Sequence, residues 1–240
     1  MSTNPRSTSM INRRNLLIAL TVVAVLLATV LVGGEAYARH RVSSCISTQF
    51  EKEMGSKIDV SFGPKPMLVT WIDGKVSSVR VNSNDTKFGP AVGMVVHAVF
   101  RDVDVADPNG STIASSSADV TWSNEGIRET LGGLVSGVSS SAESGMLTLD
   151  VLGGLAELQL KPQVQNGTVE VETMSAQLLG IGVPADLAQS IVDIFTRSLQ
   201  SYPLGMAATN LQVTDSGIDV ELAGGRTQLK PADNSSGGGC

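Results

Sequence analysis

Chemistry-bearing side chains are scarce in this 240-residue chain, and each scarcity excludes a class of function. Only two histidines occur, His40 and His97, and no H-E-x-x-H, C-x-x-C or paired-histidine spacing offers a metal site. No metal or other cofactor is expected. His97 stands among valines in a strand pattern, where a lone histidine is more often structural than catalytic. Serines are plentiful, but none occupies a G-x-S-x-G elbow. Residues 180–185, Gly-Ile-Gly-Val-Pro-Ala, imitate a dinucleotide fingerprint, yet Pro184 interrupts it and no β-α-β pattern surrounds it. The chain reads as non-enzymatic, with a serine hydrolase using His97 as the remaining catalytic alternative.

Aromatic residues are sparse as well, at 4%. The interior must then be filled by small and flexible aliphatics, Met67, Met94, Met146, Met174 and Met206 among them. Such an interior adapts to acyl chains of varied shape. Basic residues are outnumbered 17 to 23. Three arginines and one glutamate fall within residues 1–38, so the remainder stands at net −8 against −6 for the whole chain. Nucleic acid demands clustered Lys and Arg to displace phosphate counterions, so none is expected as a partner. The same balance argues against polybasic docking on anionic lipid. Contact with lipid would have to be apolar.

Cysteine occurs twice, at Cys45 and Cys240. In an oxidising compartment the pair suits one disulfide that closes nearly the whole domain. The alternative is two unpaired thiols, with Cys240 ending a Ser/Gly-rich tail over residues 232–240.

What the chain does contain is an uncharged apolar run over residues 16–32, preceded by Arg13 and Arg14 and followed by Ala36-Tyr37-Ala38. Basic residues stay behind, the apolar stretch partitions into the bilayer, and the small-x-small site invites cleavage. Residues 1–38 are therefore a signal peptide or an N-terminal membrane anchor, and both readings send the rest out of the cytoplasm. The expected location is the periplasm or cell envelope, with residues 16–32 as the tether if they are retained.

Beyond the leader, residues 40–54 place Val42, Ile46 and Phe50 on one helical face, and Gly55 stops them. Period-two alternation begins at Ile58 and ends at Gly63-Pro64. Residues 67–72 and 76–81 flank Asp73-Gly74 as a hairpin. Residues 93–105 form a long strand, followed by a turn at 107–110 and a strand reaching Trp122. A second helix starts at Ser123 or Asn124 and carries Ile127, Leu131, Leu134, Val135 and Val138 at helical spacing. Gly132, Gly133 and Gly137 weaken it, so either a neighbour packs very closely against them or the helix is mobile and able to move aside as a gate. Strands resume over 145–151, 155–160 and 164–173. The third helix is clearest: Pro184 and Asp186 suit its first turn, and Leu187, Ile191, Phe195 and Leu199 recur every four residues. Two strands, 210–214 and 217–223, finish one domain over residues 39–231.

The segments 58–66 (Ile-Asp-Val-Ser-Phe-Gly-Pro-Lys-Pro), 88–94 (Phe-Gly-Pro-Ala-Val-Gly-Met), 122–127 (Trp-Ser-Asn-Glu-Gly-Ile), 179–184 (Leu-Gly-Ile-Gly-Val-Pro) and 198–206 (Ser-Leu-Gln-Ser-Tyr-Pro-Leu-Gly-Met) carry a resemblance. Together they resemble the LmeA-type envelope proteins of mycobacteria and related actinobacteria, over nearly all of residues 40–230. The resemblance implies a tubular-lipid-binding-like fold, with a phospholipid in an apolar groove. It also implies a non-catalytic role supporting mannan elongation of lipomannan and lipoarabinomannan.

The expected fold is thus α+β, a curved antiparallel sheet packed with about three helices. The expected ligand is a phospholipid, of the phosphatidylinositol type or its mannosides, with an envelope mannosyltransferase as protein partner. Leu187, Ile191, Phe195 and Leu199 are the groove candidates from the helix side, facing Met94, Val96 and Ala98 from a strand. Arg128 and Lys161 are the head-group candidates. The competing class is a scaffold with a solid core that binds a glycosyltransferase or a polymer.

Overall fold

Apolar periodicity, and the residues that interrupt it, account for most elements of the computed structural model, which describes residues 13–54, 57–88, 91–105, 111–178, 183–200, 202 and 205–229. The apolar run and the amphipathic stretch after it form one helix, α1 (Arg13–Met54). No proline interrupts these 42 residues, and the helix passes straight through Ala36-Tyr37-Ala38. By length and composition, Leu20–Thr48 is able to cross a membrane, with a mean hydropathy of 1.9 and none of its apolar window buried.

After β1 (Ile58–Phe62) the structure departs from the sequence reading. Residues 67–72, expected as a hairpin arm, are helical and form α2 (Met67–Asp73). A short apolar run carries no period that separates strand from helix, so its ends decide. Pro66 holds extended backbone just before it, and Gly74 closes it in the left-handed region (φ 65°) with its N–H donating to the Thr70 carbonyl. Glu35 of α1 then accepts from the Met67 N–H with both carboxylate oxygens, at 2.8 and 2.7 Å. That supplies a partner for a helix-start N–H that α2 itself cannot satisfy.

Three long strands follow: β2 (Lys75–Phe88), β3 (Ala91–Asp104) and β4 (Ser111–Ser123). The expected turn at 107–110 lies outside the described residues. The Ser123 hydroxyl caps α3 (Asn124–Leu131) by accepting from the Gly126 N–H at 3.1 Å. This helix stops seven residues short of Val138. Gly132 adopts φ 55° and ψ −139°, and after one 3-10 turn (Gly132–Leu134) the chain continues as β5 (Val135–Ser141). The glycines therefore end a helix and begin a strand, and they form no mobile helical gate.

β6 (Met146–Val151), β7 (Ala156–Gln165) and β8 (Thr168–Leu178) complete a meander, with Asn166-Gly167 turning the last hairpin. Both turn residues have positive φ, 52° and 79°, as a tight two-residue hairpin requires. Then come α4 (Ala185–Gln200), β9 (Ala207–Thr214), β10 (Gly217–Gly224) and β11 (Thr227–Leu229).

All pairings are antiparallel. The larger sheet runs β1-β2-β3-β4-β10-β9 with β11 beside the start of β4, and the smaller runs β5-β6-β7-β8. The fold is α+β as expected, with two open sheets and four helices among the described residues. A single apolar cluster joins both sheets, from Met94 and Trp122 on the larger to Leu149, Leu158 and Val169 on the smaller, with Ile127 of α3 and Phe195 of α4 between.

Where α3 meets β3 the backbones come very close. The Trp122 indole N–H donates to the Val92 carbonyl at 2.9 Å, and the Val92 N–H donates to the Thr130 hydroxyl at 2.8 Å. A Cβ on Gly126 would stand 2.8 Å from the Val92 oxygen and 3.0 Å from that of Gly93. Backbone cannot give way cheaply, so Gly126→Ala is expected to destabilise by about 1–3 kcal/mol, read as a lower urea midpoint.

Candidate functional site

α4 is built by its caps and its stripe. The Pro184 carbonyl accepts from the N–H groups of Leu187 and Ala188, both at 3.1 Å, so Pro184 stands at the N-cap, one place before the first turn. Asp186 lies in that turn, at the positive end of the helix dipole. The stripe faces inward: Ile191 and Phe195 are fully buried, Leu199 is buried and Leu187 is half-buried. Met94, Val96 and Ala98 of β3 are buried in the same cluster. The seven groove candidates therefore belong to one apolar region, capped by Phe195 stacking on Trp122 with ring centres 5.4 Å apart.

The C-terminal end of α4 is fixed to β8. The Gln200 side-chain amide donates to the Val169 carbonyl at 2.8 Å, and the Val169 N–H donates to the Tyr202 hydroxyl oxygen at 2.9 Å. Burial raises the Tyr202 phenol above its usual pKa, opposed by that backbone contact. Alongside this fixed end, α4 and β8 leave an open seam of about 470 Å³. Val171, Val192 and Thr196 line it, with Glu170, Asp193, Arg197 and Gln200 at the polar edge. Its volume falls in the range of small-ligand pockets.

The two head-group candidates stand on different elements. Arg128 of α3 is held by Glu125 one turn earlier, through its Nε at 2.9 Å and through its Nη2. That hydrogen bond raises the arginine pKa and lowers that of Glu125. Lys161 is exposed on β7, on the face opposite Leu158 and Leu160, and is paired in register with Glu172. His97 is exposed on β3, its Nδ1 2.9 Å from Asn82 Oδ1, with Asp119 beside it in register. Among the described residues, no group of three His, Cys, Asp or Glu side chains is arranged to hold a metal. The side chain of Cys45 and the whole of Cys240 lie outside the described residues.

Sequence reasoning passed over a polar junction where α1 meets β1 and α2. Arg39 Nε pairs with Glu35 at 2.6 Å, while its terminal nitrogens donate to the carbonyls of Phe62 (3.2 Å), Gly63 (2.9 Å) and Lys65 (2.8 Å). One guanidinium thus satisfies three carbonyls of a Pro/Gly loop. Glu35 and Arg39 stand at i and i+4, the spacing of a helical ion pair, directly after the apolar run. That signal was available from the sequence alone. Nearby, Lys65 pairs with Asp73 at 2.6 Å and holds its carboxyl below the usual range. Lys65, Lys75 and Arg226 share an open basin of about 460 Å³ with Asp102 and Asp104.

A model of a family described as LmeA-like phospholipid-binding matches residues 29–223, beginning inside α1. Uncharacterized proteins of Mycobacterium tuberculosis (strains H37Rv and CDC 1551) and Mycobacterium bovis are 28% identical to the chain over 211 residues. The alignment covers 84% of this chain and 61% of theirs, so the chain spans less than two thirds of these curated relatives. No solved structure matches.

Proposed function

Because this chain belongs to the LmeA-like phospholipid-binding family, we propose that it is a non-catalytic phospholipid-binding protein of the cell envelope. The acyl chains would lie along the seam between α4 and β8 and reach the cluster beneath. The observation that carries this is the open seam itself, which runs beside an amphipathic helix held to the sheet at one end. Leu187, Ile191, Phe195 and Leu199 from α4, with Met94, Val96 and Ala98 from β3, form the apolar floor. Burial of each CH₂ there contributes about 0.8 kcal/mol. Head-group contacts fall to Arg197 and Gln200 at the seam, with Arg128 and Lys161 farther off. A phosphatidylinositol-type lipid, support of mannan elongation and a mannosyltransferase partner are the finer parts of the proposal, and they rest on the family resemblance.

The proposed location is the outer side of the plasma membrane, with α1 retained as anchor. Two observations support retention over cleavage after Ala38. The family match starts at residue 29, ahead of that site. Glu35, which cleavage would remove, accepts from the Met67 N–H and from Arg39.

Full burial of Ile191 and the Phe195–Trp122 stack favour a second reading, a scaffold with a solid core. Native mass spectrometry of detergent-extracted protein separates the two. Lipid binding requires a co-purifying phospholipid mass that disappears in Val192→Trp, which fills the seam from a half-buried position. A scaffold carries no such mass, and its Val192→Trp variant is indistinguishable from wild type.

A further inference from the structure

The helix α2 is turned inside out. Its buried face holds Met67 and the hydroxyl-bearing Thr70, whereas Val69, Trp71 and Ile72 are 43%, 72% and 87% exposed. A solvent-facing helix normally shows the reverse arrangement, and an exposed apolar patch marks a contact surface.

Two further observations identify what this surface meets. The first is position. The Met67 N–H is bonded to Glu35, three residues beyond Val32, the last of the apolar run. At 1.5 Å per residue that is about 5 Å along α1. The run of 17 residues (16–32) covers about 26 Å, slightly less than the roughly 30 Å hydrocarbon core, so there is no slack to lift Glu35 clear of the head groups. The second is composition. The chain has only two tryptophans and two tyrosines. Trp122 is fully buried and Tyr202 half-buried, while the other two, Trp71 and Tyr37, are both exposed and flank this junction. Tyr37 also has the Arg41 guanidinium 5.9 Å from its ring centre. Trp and Tyr concentrate where a membrane protein crosses the interface.

We infer that α2 lies in the head-group layer of the same bilayer that α1 spans, with Val69, Trp71 and Ile72 inserted and Lys65 and Lys75 at the rim. The Glu35–Arg39 junction sets its depth. This fixes which end of the domain faces the membrane. It rests on α1 being a retained anchor, and it is independent of where the lipid ligand binds.

Trp71 is its own probe, because the buried Trp122 gives a constant background that Trp71→Phe isolates. The experiment uses the full chain reconstituted in phosphatidylcholine vesicles carrying lipids brominated near the head group. The expected result is quenching of Trp71 by bromolipid, together with at least a threefold loss of its acrylamide quenching relative to detergent-free Trp122-subtracted controls of the Ile72→Asp variant. Ile72 is almost fully exposed, so Ile72→Asp tests docking without touching the core. Trp71 open to acrylamide in protein that resists alkaline extraction from the vesicles overturns the inference while leaving the anchor intact. Shielding from acrylamide without bromolipid quenching places Trp71 against a second protein copy, and also overturns it. Protein stripped by alkali removes the anchor, and the inference falls with it.

Discussion

Phe195→Ala is expected to lower the unfolding free energy of the domain by about 3–5 kcal/mol. Phe195 is fully buried and its ring stacks on Trp122, so truncation removes the transfer term and leaves a void between α4 and β4. The stacked pair adds about 0.5–1.5 kcal/mol beyond area burial. Denaturation in urea, followed through Trp122 fluorescence in a Trp71→Phe background, measures the loss. Its response to lipid is the more informative part. If acyl chains reach the floor beneath α4, phospholipid enters the new void and binds the variant more tightly than wild type, narrowing the deficit by about 1.4 kcal/mol for each tenfold gain in affinity. If the region is a solid core, the deficit stays the same at every lipid concentration. The control is Gly126→Ala, whose defect is crowding of α3 against the β3 backbone and opens no void, so lipid stabilises it by the same increment as wild type and leaves the difference between them in place.

The contrast between α4 and α2 shows what the sequence could and could not say. α4 was legible because its signals agree: Pro184 and Asp186 open it, and four apolar residues recur through four turns. The turn at Asn166-Gly167 falls inside the expected strand 164–173, although few residue pairs accept positive φ together and the pair itself carried the signal. α2 was not legible, because Met67 to Ile72 is too short to show a period and its helical start is completed by Glu35, 32 residues away. α3 failed differently. Leu134, Val135 and Val138 fit a helix by spacing, but Gly132 takes a backbone conformation that ends it, and β5 then pairs with β6 through a register shift at Val135/Gly137. The floor residues were readable as apolar from periodicity alone. Periodicity reports which face is buried, however, and says nothing about whether the space it faces is already filled by Phe195 and Trp122. The seam became visible only when β8 was placed against Val192 and Thr196.

The junction between α1 and the domain carries the other large effect. Glu35→Ala leaves the Met67 N–H and Arg39 Nε without their carboxylate, in a setting where both side chains of the pair are at most 30% exposed. Loss of charge-assisted bonds of this kind costs about 2–3 kcal/mol. The cost should be local, because the Phe195 cluster lies elsewhere. Hydrogen exchange on the full chain is expected to show α2 amides, Val69 to Gly74, losing roughly 30-fold or more in protection while Leu158 and Leu160 keep theirs. Arg39→Lys keeps the charge but cannot serve Phe62, Gly63 and Lys65 with one planar fork, so it should give a smaller loss in the same segment. The same variant also decides the fate of the leader. A mature protein that begins at Arg39 has no Glu35, so in that case Glu35→Ala would leave the exchange pattern of the isolated domain unchanged. Loss of protection at α2 in protein recovered from membranes therefore requires that α1 remain attached.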